Sequence, residues 1–258
     1  MKFALVDGQR LEAQPNLLGK CPSCGHAMVA KCGEVRASHW AHQGKRLCDP
    51  WGENETEWHR AWKGQFPDEW QEVVHHAENG IKHIADVKTE RGWVIEFQHS
   101  HLNPEERWSR DAFYPKLVWV VDGTRRKRDE RQFIEALKYG TQVDARLAIK
   151  RVRSDECALL REWVGSHAPI FFDFGSEQAL SWLIAGRSDG LAYVGPVSRA
   201  SFIAMHRGGV TQMTRDFDEL VKDFSGLVAD HESYLQRASL QPVRSYHLAP
   251  MDRRRRRL

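Results

Sequence analysis

The sequence has no long apolar run. No stretch approaches the roughly 20 consecutive apolar residues that a membrane-spanning helix requires. The first residues also lack a basic segment followed by an apolar one, which is the pattern of a secretory signal peptide. From these two absences we expect a cytoplasmic protein without a membrane segment.

Cysteine is scarce and unevenly spread. The 258 residues contain five cysteines, and four of them lie between residues 21 and 48. An odd number crowded into one segment does not suggest the disulfide framework of a secreted protein. A metal site in a reducing compartment explains this distribution better. We find no internal repeat, and the arginine run near the C-terminal end is the one low-complexity segment.

Neither sign of charge dominates the body of the chain. The formal net charge is +3, and Arg253–Arg257 supply five of the positive charges. Without these five arginines, 33 basic residues stand against 35 acidic ones. A second basic run covers Arg125–Arg128. Either run suits contact with a phosphate backbone, and the alternative for the terminal run is a solvated tail.

Residues 21–42, CPSCGHAMVAKCGEVRASHWAH, carry the spacing of a zinc site. Two thiolates on one turn and two imidazoles on another can complete a tetrahedron around Zn²⁺. The predicted ligands are Cys21, Cys24, His39 and His42. Cys32 or Cys48 could replace a histidine, and two buried thiols beside incidental histidines remain the alternative. A four-ligand site of this kind would stabilise a small N-terminal unit and would leave no open position for chemistry.

Residues 82–100 predict a β-hairpin with a three-residue loop ending at Gly92, where glycine takes the left-handed conformation at little cost. Counting outwards places Asp86 opposite Glu96. Directly opposed side chains lie about 4.5–5.5 Å apart at Cβ, and like charges there are unfavourable. Such a pair needs a shared proton or a cation, and a hard divalent metal is the natural cation. An ordinary solvated sheet face is the alternative.

Alternation along the two strands also predicts which side chains share the apolar face of the hairpin. These are Ala85, Val87, Trp93, Ile95 and Phe97. The same alternation places Gln98 on the polar face with Asp86 and Glu96.

Two helices flank this hairpin in the sequence. The first is predicted over 53–66 with Asn54 as N-cap, and it aligns Glu55, His59 and Lys63 along one stripe. Without further context, that stripe reads as solvent-facing ion pairs. The second helix begins after the N-cap Asn103, with proline at its first position, and runs to about residue 114. It should present Arg110 and Tyr114 on one face.

The remaining pattern alternates between helices and strands, which predicts a mixed α/β fold around a sheet. Strands are expected at 3–6, 72–76, 117–121, 169–174 and 191–194, and helices at 129–138, 154–164, 176–184, 198–206 and 215–236. We therefore divide the chain into a zinc-binding region (1–50), a core (51–145), a C-terminal α/β region (150–252) and a basic tail (253–258). The C-terminal region shows no metal, phosphate or nucleophile pattern.

Taken in order, these segments resemble the competence protein CoiA-like family of the PD-(D/E)XK nuclease superfamily. The resemblance rests on CPSC and HWAH, then ETEWHRAWK, then IADV and IEFQHS, followed by the capped helix, and it covers about residues 21–122. It implies a restriction-endonuclease-like core with an N-terminal zinc-binding knob and a C-terminal α/β extension. It also implies metal-dependent hydrolysis of DNA phosphodiester bonds, as an endonuclease or an exonuclease.

The resemblance assigns roles residue by residue. Asp86 and Glu96 match the acidic ligands of a catalytic Mg²⁺ or Mn²⁺. Gln98 stands where the superfamily usually has lysine, and the CoiA-like subset is similar to this chain in carrying glutamine there. Glu55, His59 and Lys63 match the helix motif that precedes the hairpin. Arg110 and Tyr114 are the expected substrate contacts.

The implied partners are DNA and a recombination or defence protein, and the oligomeric state stays open. Another interpretation is a catalytically silent DNA-binding or accessory protein of a recombination or anti-phage complex. The missing lysine favours that interpretation. The opposed carboxylates argue against it.

Overall fold

The computed structural model describes residues 1–33, 37–44, 51, 55–76, 80, 82–175, 177–188, 190–208 and 216–240. These residues form two sheets and six helices, so the expectation of a mixed α/β fold is confirmed at this level. Within them, no helix is both long and apolar enough to cross a membrane. The basic tail lies outside the described residues.

The N-terminal sheet has five antiparallel strands. They are β1 (Phe3–Val6), β2 (Gln9–Glu12), β3 (Leu18–Lys20), β4 (Ala27–Lys31) and β5 (His39–His42), in the order β2-β1-β3-β4-β5. Its small core centres on Trp40 and Met28, which are both almost fully buried.

The large sheet has nine strands in the order β10-β11-β14-β13-β12-β9-β8-β7-β6. They are β6 (Gln71–His76), β7 (Lys82–Lys88), β8 (Val94–Gln98), β9 (Leu117–Asp122), β10 (Thr141–Asp144), β11 (Ile149–Arg153), β12 (Ile170–Asp173), β13 (Leu180–Ser188) and β14 (Leu191–Val197). Strands β8, β9 and β12 run parallel to one another, and the other pairs are antiparallel. Because β12 pairs with β9, this sheet continues from the predicted core into the residues beyond 150.

Helices cover both faces of the large sheet. They are α1 (Glu57–Lys63), α2 (Pro104–Phe113), α3 (Lys127–Tyr139), α4 (Ala158–Trp163), α5 (Arg199–Arg207) and α6 (Phe217–Leu240). Helices α1, α5 and α6 contribute to one hydrophobic cluster, and α2, α3 and α4 contribute to the other. The continuous apolar run of β9 fits this arrangement, since a strand buried on both faces has no polar side.

The predicted hairpin is confirmed in its register. Val87 pairs with Ile95, and the loop residue Gly92 has a φ of +80°. The apolar face differs from the prediction at one residue, because Ala85 packs in the cluster of α2 whereas Val87 packs in that of α1. The side chains of β7 on either side of Asp86 therefore pack against opposite faces of the sheet.

One predicted helix is wrong. Residues 180–188, within and beyond the segment expected as helix 176–184, form strand β13 between β12 and β14. A short apolar run such as Leu180–Ala185 does not distinguish a buried strand from a buried helix by periodicity, and the neighbouring strands decide it. The sequence pattern also did not predict strands β2–β5, β10 and β11.

Candidate functional site

Helix α1 is held against the large sheet by its tryptophans. Trp58 and Trp62 both donate their indole N–H to Asp173 Oδ2 of β12, at 2.9 and 2.8 Å. The helix begins at the N-cap Thr56, whose hydroxyl accepts from the backbone N–H of His59. The predicted N-cap Asn54 lies outside the described residues. These anchors fix the stripe of polar side chains that α1 presents to β6 and β7.

Lys63, in the last turn of α1, is the centre of a buried charge cluster. Its Nζ lies 2.8 Å from Glu55 Oε1, 3.0 Å from Glu72 Oε1 and 3.9 Å from Asp86 Oδ1. The lysine side chain is only 2% exposed. Burial lowers the pKa of Lys63, but the carboxylates of Glu72, Asp86 and Glu55 outweigh burial and raise it above its ordinary value. Lys63 therefore stays cationic at neutral pH, and the predicted solvent-facing ion pairs are instead internal.

Glu72 is a member of this cluster that the sequence pattern did not indicate. The pairs Gln71–Val87 and Val73–Ala85 bracket it opposite Asp86. Its backbone has a φ of +48°, a conformation that typically costs a non-glycine residue about 1–3 kcal/mol. Its carboxylate accepts the backbone N–H groups of Lys2 and of Phe3, the first residue of β1, at 2.6 and 3.0 Å. Glu72 thus joins the N-terminal sheet to Lys63.

The charge of Glu72 makes a pH-dependent contribution to stability. Burial raises the pKa of Glu72, but Lys63 and the two backbone N–H groups outweigh burial and lower it from 4.5 to about 2. A carboxylate with a depressed pKa in the folded state stabilises the protein above the unfolded pKa, and this stabilisation is lost as pH falls from about 4.5 to about 2.

Glu72→Gln is therefore expected to lower the free energy of unfolding at neutral pH by on the order of 1–3 kcal/mol, as for other hydrogen bonds to charged groups. Urea unfolding at neutral pH and near pH 3 would measure the difference from wild type, which should shrink in acid. The exposed Glu69→Gln is the matched control and should change little at either pH. A Glu72→Gln deficit that stayed constant with pH would contradict this assignment.

Asp86 and Glu96 meet where strands β7 and β8 separate. Beyond the pair Val87–Ile95, each carboxylate bonds to the backbone of the other strand. Glu96 Oε1 accepts the N–H of Asp86 at 3.3 Å, and Asp86 Oδ2 accepts the N–H of Phe97 at 3.0 Å. The predicted juxtaposition of the two acids is therefore present, although the side chains lie between the strands and not on a flat sheet face.

Arg110 of α2 is the second cation of the site. Its guanidinium is 3.0 Å from Glu96 Oε2 and also bonds Glu106 and the backbone carbonyl of Trp51. Arg110 is 4% exposed, so it positions Glu96 and is not exposed as the expected substrate contact. Arg110 and Lys63 therefore already supply part of the positive charge that the opposed acids require.

Tyr114 differs from its predicted role. Helix α2 ends at Phe113, and Tyr114 has the extended φ and ψ of −103° and 111°, so it no longer shares a helical face with Arg110. Its ring is buried and packs edge-on against His75 at 5.1 Å. The structure thus places Tyr114 in the hydrophobic core and not at a substrate surface.

The remaining charge at Asp86 fits a divalent cation. Five carboxylates contact Lys63 or Arg110, and Arg60 and the N-terminal ammonium also approach Glu55, so five acids stand against four cations. Burial raises the pKa of Asp86 because it disfavours the charged carboxylate, while Lys63 and His59 oppose that rise. Carboxylate oxygens are the ligands that Mg²⁺ prefers, and one or two of them suffice because the ion keeps several waters.

The other two predicted residues of the catalytic set border this pair. His59 is buried, and its Nδ1 lies 2.7 Å from the hydroxyl of Thr56. Gln98 follows Glu96 on β8, is buried, and donates its amide N–H to the carbonyl of Ser100 at 3.2 Å. Both side chains are thus held by hydrogen bonds within their own segments.

A separate group in the N-terminal sheet could hold a metal such as zinc. The candidate ligand atoms of Cys21, Cys24 and His42 all lie within 4.8 Å of one another. The turn after Cys21 is closed by two backbone bonds, from the N–H of Gly25 to Cys21 and from that of Cys21 to His26. Cys24 Sγ is 3.4 Å from His42 Nε2. In the part of the chain that the structure describes, no other group of three such ligands reaches this spacing.

His39 does not belong to this group, contrary to the prediction. It lies three positions before His42 on β5, so alternation directs the two rings to opposite faces of the strand. His39 Nδ1 instead lies 2.9 Å from the carbonyl of Ala37. Cys32 is also outside the group, and Cys48 lies outside the described residues.

Metal binding at this group is a direct test of its assignment. Burial raises the pKa of Cys24, but hydrogen bonds from the His26 backbone and the His42 ring outweigh burial and lower it to about 6. The thiolate needed for metal binding is therefore present at pH 7. Cys24→Ser is expected to lose the bound metal, whereas His39→Gln keeps about one ion per chain. Metal analysis of both purified proteins would measure this, and loss of metal from His39→Gln alone would contradict the assignment.

Comparison with known proteins gives no match for this chain among family models, curated proteins or solved structures.

Proposed function

We propose that the protein is a metal-dependent DNA nuclease that hydrolyses phosphodiester bonds. The observation that carries the proposal is the pair of Asp86 and Glu96, joined at the separation of β7 and β8 with charge that Lys63 and Arg110 only partly balance. The order α1-β6-β7-β8-α2-β9, with β9 parallel to β8, supports a restriction-endonuclease-like core.

The chain's own residues have distinct roles in this proposal. Asp86 and Glu96 would hold Mg²⁺ or Mn²⁺, which polarises the phosphate and lowers the pKa of a bound water. Lys63 cannot act as a base while it stays cationic, and at 2% exposure it would act through Asp86, whose carboxylate it holds in position. Glu55 and Glu72 hold Lys63 in place. Because Lys63 also approaches Asp86, it would substitute for the lysine that the superfamily usually carries at the position of Gln98.

Two further residues complete the arrangement. Arg110 would hold the Glu96 side chain in position through their ion pair. Arg110 would therefore affect catalysis through Glu96, without contacting the substrate itself. The Gln98 amide, two residues further along β8, is the group available to orient water. The Cys21, Cys24 and His42 group would supply three ligands to a zinc ion that stabilises the N-terminal sheet, and Cys48, outside the described residues, is the candidate fourth ligand.

The test is incubation of the purified protein with supercoiled, linear and single-stranded DNA, in Mg²⁺ or Mn²⁺ and in chelator. Cleavage with either ion and none in chelator is the expected result. Calorimetry of Mg²⁺ binding distinguishes the alternative of a silent DNA-binding or accessory protein. DNA binding without cleavage and without Mg²⁺ affinity would refute the nuclease proposal in favour of that alternative, which the glutamine at position 98 favours.

A further inference from the structure

A second polar group lies at the C-terminal ends of the three parallel strands. His99 directly follows β8, and Asp122 and Asp173 end β9 and β12. The register places Gln98 beside Val121 and Asp173 beside Asp122, so the three side chains form one row across the sheet. The C-terminal ends of parallel strands are the usual position of ligands in α/β proteins.

Within this row, His99 and Asp122 form an oriented pair. His99 Nδ1 lies 2.7 Å from Asp122 Oδ2. Asp122 is 4% exposed, and its other oxygen accepts the backbone N–H and the hydroxyl of Thr124, at 2.8 and 2.7 Å. The carboxylate is thus fixed from three directions. His99 by contrast is 39% exposed, so an imidazole held at Nδ1 can meet a ligand at Nε2.

The pair also lies near one of the proposed catalytic residues, His59. The ring of His99 is 6.0 Å from that of His59 and 6.2 Å from that of Trp58, both in α1. His99 follows Gln98 in the chain, and consecutive side chains at a strand end point to opposite sides. In phosphoryl transfer the attacking and leaving oxygens lie roughly in line on opposite sides of phosphorus. Groups on both sides of the end of β8 suit these two positions.

We infer that His99 is a further catalytic residue, which protonates the departing oxygen, and that Asp122 is its positioning residue. This inference rests on the proposed nuclease function. The oxygen of water forms a bond to phosphorus while the bond from phosphorus to the sugar oxygen breaks, with its electron pair remaining on that oxygen. The proton on His99 Nε2 passes to the departing oxygen. The attacking water loses its proton to solvent, and His99 regains one from solvent, leaving a phosphomonoester and a sugar hydroxyl.

The test uses the full-length protein and a leaving group that needs no proton. Sulfur replaces either the bridging 3′ oxygen or the bridging 5′ oxygen at one bond that the wild-type protein cleaves. His99→Gln is expected to slow cleavage of ordinary DNA about 100-fold, the usual contribution of general acid catalysis. It should cleave one of the two sulfur substrates at nearly the wild-type rate. Asp122→Asn should show the same pattern with a smaller loss.

His101→Gln is the matched control, because that ring is 70% exposed and contacts Glu162. It should behave as wild type on every substrate. Far-UV circular dichroism and urea unfolding confirm that each variant is folded. Should His99→Gln cleave ordinary DNA as fast as wild type, or cleave all three substrates equally slowly, the inference is overturned while the nuclease stands. A wild-type protein that cleaves none of them overturns the proposed function and the inference together.

Discussion

Replacing Asp86 and Glu96 together by alanine is expected to abolish metal-dependent DNA cleavage. The two carboxylates supply the negative charge at the point where β7 and β8 diverge. Without them we expect the site to lose its affinity for a divalent ion. A bound metal contributes several kcal/mol of transition-state stabilisation, so the rate should fall by at least about 1,000-fold. Cleavage of supercoiled DNA at equal protein concentrations measures the loss, and calorimetry should show that Mg²⁺ binding is lost with it.

Removal of these acids also changes stability, in two opposing ways. Burial disfavours the charged form of Asp86 and raises its pKa, but loss of the side chain removes the acceptor of the Phe97 backbone N–H and a partner of Lys63. Loss of Glu96 leaves Arg110 with fewer partners. Asp86→Asn with Glu96→Gln keeps the size of both side chains and should show the same loss of cleavage. The control is Glu135→Ala with Asp230→Ala, which removes two exposed acids. Unchanged cleavage by folded Asp86 and Glu96 variants would remove the catalytic assignment.

Lys63→Met is expected to be the most destabilising single substitution among those proposed. The lysine is 2% exposed and is the cation shared by Glu55, Glu72 and Asp86. Removing one partner of a buried ion pair leaves uncompensated charge and costs about 3–5 kcal/mol. Urea unfolding at neutral pH measures this cost. The deficit should shrink as pH falls towards about 4, because protonation removes the unpaired carboxylate charge.

The control for this substitution is Lys116→Met. Lys116 pairs with Asp218 at 3.0 Å, but their side chains are 42% and 46% exposed, so the pair is screened by solvent. Its loss should cost no more than about 1 kcal/mol. Equal effects of the two substitutions would show that the Lys63 cluster contributes no more than a surface ion pair.

The hairpin of β7 and β8 illustrates how much could be predicted from the sequence. Its three-residue loop, the pairing of Val87 with Ile95 and the meeting of Asp86 with Glu96 all follow from alternation and one glycine. The N-cap at Asn103 could also be predicted from the sequence, because its side chain accepts the backbone N–H of Glu105 only two residues later. Each of these features depends on residues that are close in the chain.

Local patterns gave wrong predictions at residues whose conformation depends on pairing with distant strands. Residues 180–184 have the composition of either a helix or a strand, and pairing with β12 and β14 makes them a strand. His39 has the spacing of a zinc ligand, but pairing of β5 with β4 fixes its ring on the face opposite His42. Spacing alone does not fix which face of a strand a side chain occupies.

The sequence by itself determined the pair of acids, the Cys-x-x-Cys turn and the order α1-β6-β7-β8-α2-β9 around the acids. Tertiary structure decided which cations balance the acids. Glu72 reaches Lys63 from a neighbouring strand, Arg110 reaches Glu96 from α2, and Asp173 binds Trp62 across 111 positions of sequence. Local conformation follows from short-range sterics and hydrogen bonds, whereas the pairing of buried charges depends on how the sheet and helices pack together.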